Sequence, residues 1–288
     1  AERLGIAQPA LGLQLKQLEA ELGVQLLTRH SRGVTPTMAG EALRAEAAPL
    51  LQQLDALAGK LRDLGAAPHG RVVVGVTPST GNLLGEALLR AVADSLPGVQ
   101  LSFMELLSTA LVDRVAEGGV DLALCYDMPV RRGIRGETLA PDWLVFVEHR
   151  DAGRIAGRAA IPFAEAAAAP LVMSALGNEV LRRMIEDAAH DAGVELAIAH
   201  EVQSMSLTRA LLNDPQHGAI LPYGALIEDI RAGRLVAARL TAPAIERRLC
   251  LVQSDRRVLT QAELAICAIL RTLVRHPTAD GWQAPPGG

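Results

Sequence analysis

Leu11, Leu15, Leu18 and Leu22 recur at steps of four, three and four, the spacing of one apolar stripe along a helix. Pro9 suits the first turn of that helix, where a missing N–H costs no hydrogen bond, and Gly23 suits its C-terminal cap. Upstream, Ala1–Leu4 reads as the end of another helix and Gly5-Ile6-Ala7-Gln8 as a tight turn, which makes a helix-turn-helix candidate. The segment from Arg29 through Ser31, Arg32 and Gly33 to Thr37 is short, basic and rich in turn formers. It reads either as a wing that lays Arg29 and Arg32 against phosphates or as a solvated hairpin loop. Thr37 then caps a long helix. Along it, Leu43, Ala47, Leu50, Leu54, Leu57, Leu61 and Leu64 alternate steps of four and three, an a/d seam. Its other faces carry Arg44, Glu46, Gln52, Gln53, Asp55, Lys60 and Arg62, so a coiled-coil dimer seam is preferred to packing on its own domain. Pro49 is expected to kink this helix.

After about residue 65 the pattern changes to Val-rich runs that alternate with helical faces. Residues 71–126 read as β-α-β-α-β, with strands at Arg71–Val76, around Val99, Leu101 and Phe103, and at Val120–Tyr126. Strands alternating with helices of this length imply a parallel sheet with right-handed crossovers. A second unit follows, with strands at Leu144–Val147, Pro170–Ser174, Glu195–Val202 and Gly218–Leu221 and helices at Asn178–Ala192 and Ser204–Asn213. The strand Arg248–Gln253 and the helix Thr260–Val274 close the pattern, so the second α/β unit lies inside the chain path of the first. The expected organisation is a helix-turn-helix head at 1–36, a linker and dimerisation helix at 37–66, and a two-lobed α/β domain at 70–276. Lobe I would take about 70–160 and 246–276 and lobe II about 161–245, with a disordered Pro/Gly-rich tail at 277–288.

Composition narrows the function classes. Half of the 288 residues are hydrophobic and 21% are charged, which is globular. Aromatics make up 2%, so a stacking platform for single-stranded nucleic acid is not expected. The most apolar stretch, Ala159–Gly177, is interrupted by Pro162, Glu165 and Pro170, and no window of ~20 apolar residues is present to span a bilayer. A net charge of −4 means that any DNA contact is local. Over residues 1–44, Arg3, Lys16, Arg29, Arg32 and Arg44 face Glu2, Glu19, Glu21 and Glu41, a slight positive balance concentrated in the wing. Cys125, Cys250 and Cys267 form neither a CxxC pair nor a metal-ligand spacing and are expected to be buried as small apolar residues. The N-terminus lacks a basic segment followed by an apolar run, so a cytoplasmic location is expected.

In open α/β sheets, ligands sit beyond the carboxyl ends of the strands. Here those ends carry Thr77-Pro78-Ser79-Thr80, Ser108-Thr109 and Tyr126-Asp127 in the first unit, and Ser174 and Gln203-Ser204 in the second. Each hydroxyl precedes a helix, whose free N–H groups favour an anion. Plain N-capping explains any one of them. Two units that both present hydroxyl-lined strand ends suggest a cleft for a small organic anion, a carboxylate by preference. No HExxH, GxSxG, P-loop or GxGxxG is present, so neither an enzyme nor a bound cofactor is expected.

The run Ala1–Leu11, with Leu18-Glu19, Leu22-Gly23, Leu26-Leu27, Arg29, Arg32 and Thr37-Met38-Ala39-Gly40, resembles the winged helix-turn-helix of LysR-type transcriptional regulators. Gly119–Leu124 and Gly218–Pro222 resemble landmarks of that family's effector domain, which is similar to type 2 periplasmic binding proteins, and the likeness covers residues 1–276. The wording of Arg29–Thr37 and Val76–Leu84 is similar to the branch of nitrogen-assimilation control regulators. The resemblance implies a recognition helix at Pro9–Leu22. Its DNA contacts would come from Gln8, Pro9, Gly12, Gln14 and Lys16, and from Arg29, Ser31, Arg32 and Thr37 in the wing region. Ser79 and Ser108 fall where the family's effector contacts lie. It further implies double-stranded promoter DNA, a small effector, a dimer that pairs into a dimer of dimers, and RNA polymerase as a further partner. Gly12 stands where the family commonly has Ser, and Ala7 where it has Ser or Thr. The first helix of the family's head would lie upstream of Ala1, so an incomplete head is expected. The alternatives are a solute-binding protein of a transport system and a sensor fragment without DNA binding.

Overall fold

A computed structural model describes residues 8–30, 33–47, 50–51, 67–128, 131–174 and 180–275. The chain divides into two compact units, Ala1–Leu57 and Ala58–Gly288.

In the first unit, α1 (Gln8–Leu22) carries the Leu stripe, and Gly23 follows it in the left-handed region at φ 67°. The Glu19 carboxylate accepts the backbone N–H of Leu26 at 2.8 Å and of Leu27 at 3.1 Å, which fixes the path out of the helix. β1 (Leu27–His30) and β2 (Gly33–Pro36) form an antiparallel hairpin, with Leu27 opposite Pro36 and His30 opposite Gly33. This hairpin occupies the segment read as a wing. A second helix, α2, is described over residues 38–47. The Thr37 hydroxyl donates to the Gln25 carbonyl at 2.7 Å and accepts the Gly40 N–H at 3.1 Å, so it both caps α2 and ties it to the loop after α1. Thr37→Ala is expected to remove about 1 kcal/mol from this unit. A lowered urea midpoint of its helical signal would report that loss. Pro49 and the seam from Leu54 to Leu64 lie outside the described residues, as does the tail.

The second unit runs β3 (His69–Val76), α3 (Pro78–Ser95), β4 (Gly98–Glu105), α4 (Ser108–Ala116), β5 (Leu122–Tyr126) and β6 (Ile134–His149). Next come β7 (Ala160–Pro162), α5 (Phe163–Ala167), β8 (Leu171–Met173), α6 (Val180–Ala192), β9 (Ile198–Glu201) and α7 (Met205–Leu211). β10 (Gly218–Pro222), a 3₁₀ turn at Tyr223–Leu226, α8 (Ile227–Arg231), β11 (Leu235–Thr241), β12 (Glu246–Ser254) and α9 (Gln261–Arg275) complete it.

Lobe I is the sheet β4-β3-β5-β12-β6, with β3, β4 and β5 parallel and β12 antiparallel to both neighbours. Strand alternation sends Val72, Val74, Val76, Leu122 and Leu124 toward α3 and α9, where they meet Leu84, Leu88, Ile266 and Leu270. Ala123, Cys125, Cys250 and Val252 face Leu111, Val112 and Val115 of α4. All three cysteines are buried, and burial raises the Cys125 thiol to about 12 and the Cys267 thiol to about 11. Lobe II pairs β10 and β11 with the second part of β6 and extends through β8 to β9 on one side and to β7 on the other.

The lobes exchange inside β6, not near residue 160. Residues 134–143 pair with β12, whereas residues 144–149 pair with β10 and β11. A 16-residue strand is long enough to serve both sheets, so no loop marks the boundary. The return crossing passes through Ile245, whose carbonyl accepts the Leu144 N–H at 3.0 Å. The two connections between the lobes are thus held side by side.

Candidate functional site

The carboxyl ends of β3, β4 and β5 face those of β8 and β9 across a cavity of about 350 Å³ between the lobes. Thr77, Pro78, Ser79, Ser108, Thr109, Tyr126 and Asp127 line it from lobe I. Ser174, Gln203 and Ser204 line it from lobe II, beside an apolar wall that includes Val172, Met173, Leu181, Met184 and Met205. Parallel strands bring their ends to one edge, which is why residues distant in sequence converge here.

Thr80 is the exception among the expected cavity residues. It is fully buried, and its hydroxyl accepts the Thr77 N–H at 2.8 Å while Thr77 Oγ1 accepts the Thr80 N–H at 3.4 Å. This reciprocal capping box turns Thr80 into the first turn of α3 and away from the cavity. Capping also accounts for Ser204, which accepts the Leu207 N–H at the start of α7. Ser108 does something else. Its hydroxyl accepts the Tyr126 N–H at 3.1 Å, which joins α4 to the end of β5, and no side chain caps the first turn of α4. That leaves a positive helix end open toward the cavity edge.

The floor of the cavity holds a group that the hydroxyl pattern did not reveal. Arg247, on β12, pairs with Asp142 directly opposite on β6, with Nη2 and Nε at 2.6 and 2.8 Å from Oδ2. Both side chains are nearly fully buried. The guanidinium also lies over the Tyr126 ring at 3.3 Å from its centroid, and its Nη2 is 3.5 Å from Ser79 Oγ. Nothing local separates Arg247 from its exposed neighbour Arg248; only the register opposite Asp142, set by tertiary pairing, makes it part of the site.

Tyr126 is 3% exposed, and its hydroxyl has no hydrogen-bond partner among the described residues. Burial pushes its phenol well above the usual range, against the opposing pull of the Arg247 guanidinium. Asp142 pushes it the same way as burial, so the hydroxyl keeps its proton at neutral pH; Asp142 and Ser79 lie near it, but neither makes a hydrogen bond of sound geometry, which leaves it free to donate. Asp127 adopts φ 45°, a left-handed conformation sparsely used outside Gly, Asn and Asp. Its Oδ1 accepts the Arg248 N–H at 3.0 Å, while Oδ2 is buried and unpartnered among the described residues.

In the N-terminal unit, Gln14 and Lys16 are exposed on α1, where Pro9 and Gly12 also lie. An added Cβ at Gly12 would meet nothing within 4 Å. Ser31, Arg32 and the side chains of Gln8 and Arg29 lie outside the described residues. Among the described residues no group of three or more His, Cys, Asp or Glu side chains is placed to hold a metal, and no helix is long and apolar enough to cross a membrane.

Residues 65–275 match the family model described as the LysR substrate binding domain, and residues 1–41 match the bacterial regulatory helix-turn-helix protein, lysR family. The nitrogen assimilation regulatory protein nac of Klebsiella aerogenes is 30% identical over 97% of this chain and 90% of its own length. Among solved structures, a full-length OxyR variant from Pseudomonas aeruginosa superposes with a TM-score of 0.77 at 20% identity, covering 96% of this chain and 89% of that one. Full-length CbnR complexed with its target DNA gives 0.61 at 22% identity, covering 95% and 92%. These two support the fold.

Proposed function

The chain belongs to the LysR family of bacterial transcription regulators, and from that premise we propose that its effector is a small carboxylate held between the two lobes. Its class as a DNA-binding regulator with an effector-responsive domain follows from the family. The observation that carries the ligand reading is the buried, unpartnered Tyr126 hydroxyl on the cavity wall. A carboxylate would accept from that hydroxyl and gain from the uncapped end of α4, while the Met-rich wall takes an apolar body. Ser79, Ser108, Thr109, Ser174, Gln203 and Ser204 supply further hydrogen-bonding partners from both lobes. A ligand touching both lobes favours the arrangement in which it makes more contacts, and so shifts a population of lobe closures. The adjacent crossings at Leu144 and Ile245 are the natural place for that movement.

On the DNA side, Gln8, Gln14 and Lys16 of α1 are read as groove and phosphate contacts, supported by Pro9, Gly12 and Thr37. Arg29, Ser31 and Arg32 are read as phosphate contacts of the wing. Dimerisation through residues 37–66, assembly as a dimer of dimers, contact with RNA polymerase, a cytoplasmic location and a non-catalytic role complete the reading.

Tyr126→Phe provides the test. It deletes an unsatisfied buried hydroxyl, so the unliganded protein should melt at or slightly above the wild-type temperature. Effector affinity should fall roughly ten- to a hundredfold, since a lost hydrogen bond to a charged group is worth about 1.5–3 kcal/mol. Calorimetric titration with a carboxylate that stabilises the wild-type chain reads the second effect. Unchanged affinity would remove the hydroxyl from the ligand site.

A further inference from the structure

The groups just described serve one end of a ligand, but the ionised wall of the cavity asks for something different. Among the described residues its lining contains one cation, Arg247, and two carboxylates, Glu105 and Asp127. Arg247 is already neutralised by Asp142 at 2.6 Å, with both side chains buried. The Glu105 carboxylate, at the carboxyl end of β4, has no hydrogen bond or ion pair among the described residues. Asp127 spends Oδ1 on the Arg248 N–H, while Oδ2 is buried without a partner. Arg248 approaches Oδ1 at 3.9 Å from a largely exposed side chain. A buried carboxylate oxygen without a donor is a standing cost that a ligand can relieve. The unmet demand of this acidic wall is therefore for a hydrogen-bond donor and positive charge.

Resting on the cleft reading above, we infer that the effector carries a protonated amine, which donates to Asp127 Oδ2 within the field of Glu105. Combined with the carboxylate end, this makes it a zwitterion of the amino-acid type. Its apolar part lies along Met173, Met184 and Met205, unbranched and polarisable side chains that adapt to its shape. A plain carboxylate of the same size would leave Asp127 Oδ2 without a donor and bring its own negative charge beside Glu105.

The full chain should be titrated with three matched panels: the proteinogenic amino acids, short alkyl monoamines and diamines, and carboxylates of equal carbon number without an amine. Thermal shift finds binders and calorimetry ranks them. The expected result is that amine-bearing ligands bind at least about tenfold more tightly than their deaminated counterparts. Asp127→Asn should erase most of that preference; Asn still accepts the Arg248 N–H and tolerates the left-handed backbone. Glu105→Gln should reduce it less, because Glu105 is exposed. Deaminated carboxylates binding as well as amino compounds, or an Asp127→Asn variant with undiminished preference, overturns the amine while leaving the cleft as the effector site. If no member of any panel binds, the amine and the cleft reading both fall.

Discussion

Arg247→Met is expected to destabilise the effector-binding unit by about 3–5 kcal/mol, the usual consequence of stranding one member of a buried ion pair. Asp142 would be left almost wholly buried with no cation, and the Tyr126 ring would lose the guanidinium stacked on it. At 2–4 °C per kcal/mol for a domain of this size, the melting temperature should drop by roughly 10 °C. Adding Asp142→Leu should restore most of it, because two apolar side chains need no compensation for lost hydration. The pair sits beside the point where β6 passes from one lobe to the other, so the single variant should also lose effector binding. A single variant that melts within about 2 °C of wild type would show that the pair is solvated and is not a buried floor of the cavity.

Gly40→Ala should abolish DNA binding while leaving the effector domain intact. The added Cβ would overlap the carbonyl oxygen of Leu26, which is backbone and cannot swing aside. Leu26 is held from two directions, by Glu19 on its N–H and by the Thr37 N–H on its carbonyl at 2.9 Å. The strain therefore separates α2 from the loop that leads into the hairpin. A cost of about 3 kcal/mol, the upper range for overpacking, exceeds what a small unit can absorb. The same substitution at Gly12 meets open space and should stabilise α1 by up to about 1 kcal/mol. Equal DNA affinities for the two variants, measured by fluorescence anisotropy, would refute the packing argument.

The elements that periodicity announces are those with one face in a core. The Val72–Val74–Val76 alternation and the Leu84–Leu88 face are visible because a buried face leaves a repeat in the sequence. Residues 134–143 escaped that reading for the converse reason. They form the edge of the lobe I sheet, bury only Ile134, Ala140 and Asp142 with no regular alternation, and include Gly136 and Pro141, which an edge strand tolerates. The lobe boundary was misplaced as a result. Hydroxyls at strand ends announced the cavity because parallel topology gathers those ends by rule. Thr80 misled because a capping threonine and a ligand-facing threonine look identical in sequence. Arg247 and the orphaned oxygens of Tyr126 and Asp127 depend on cross-strand register and burial, which no local pattern encodes.

One titration bears most directly on the claim that the inter-lobe cavity controls DNA binding. The full chain is added to fluorescent DNA from upstream of its own gene, with and without a saturating amino-compound ligand, and the titrations are repeated with Tyr126→Phe. The ligand should change wild-type DNA affinity by about 5–150-fold, the range of ordinary allosteric coupling. Tyr126→Phe should require roughly ten- to a hundredfold more ligand for the same change. A ligand that fills the cavity yet leaves DNA affinity unmoved would contradict control of DNA binding by the cavity.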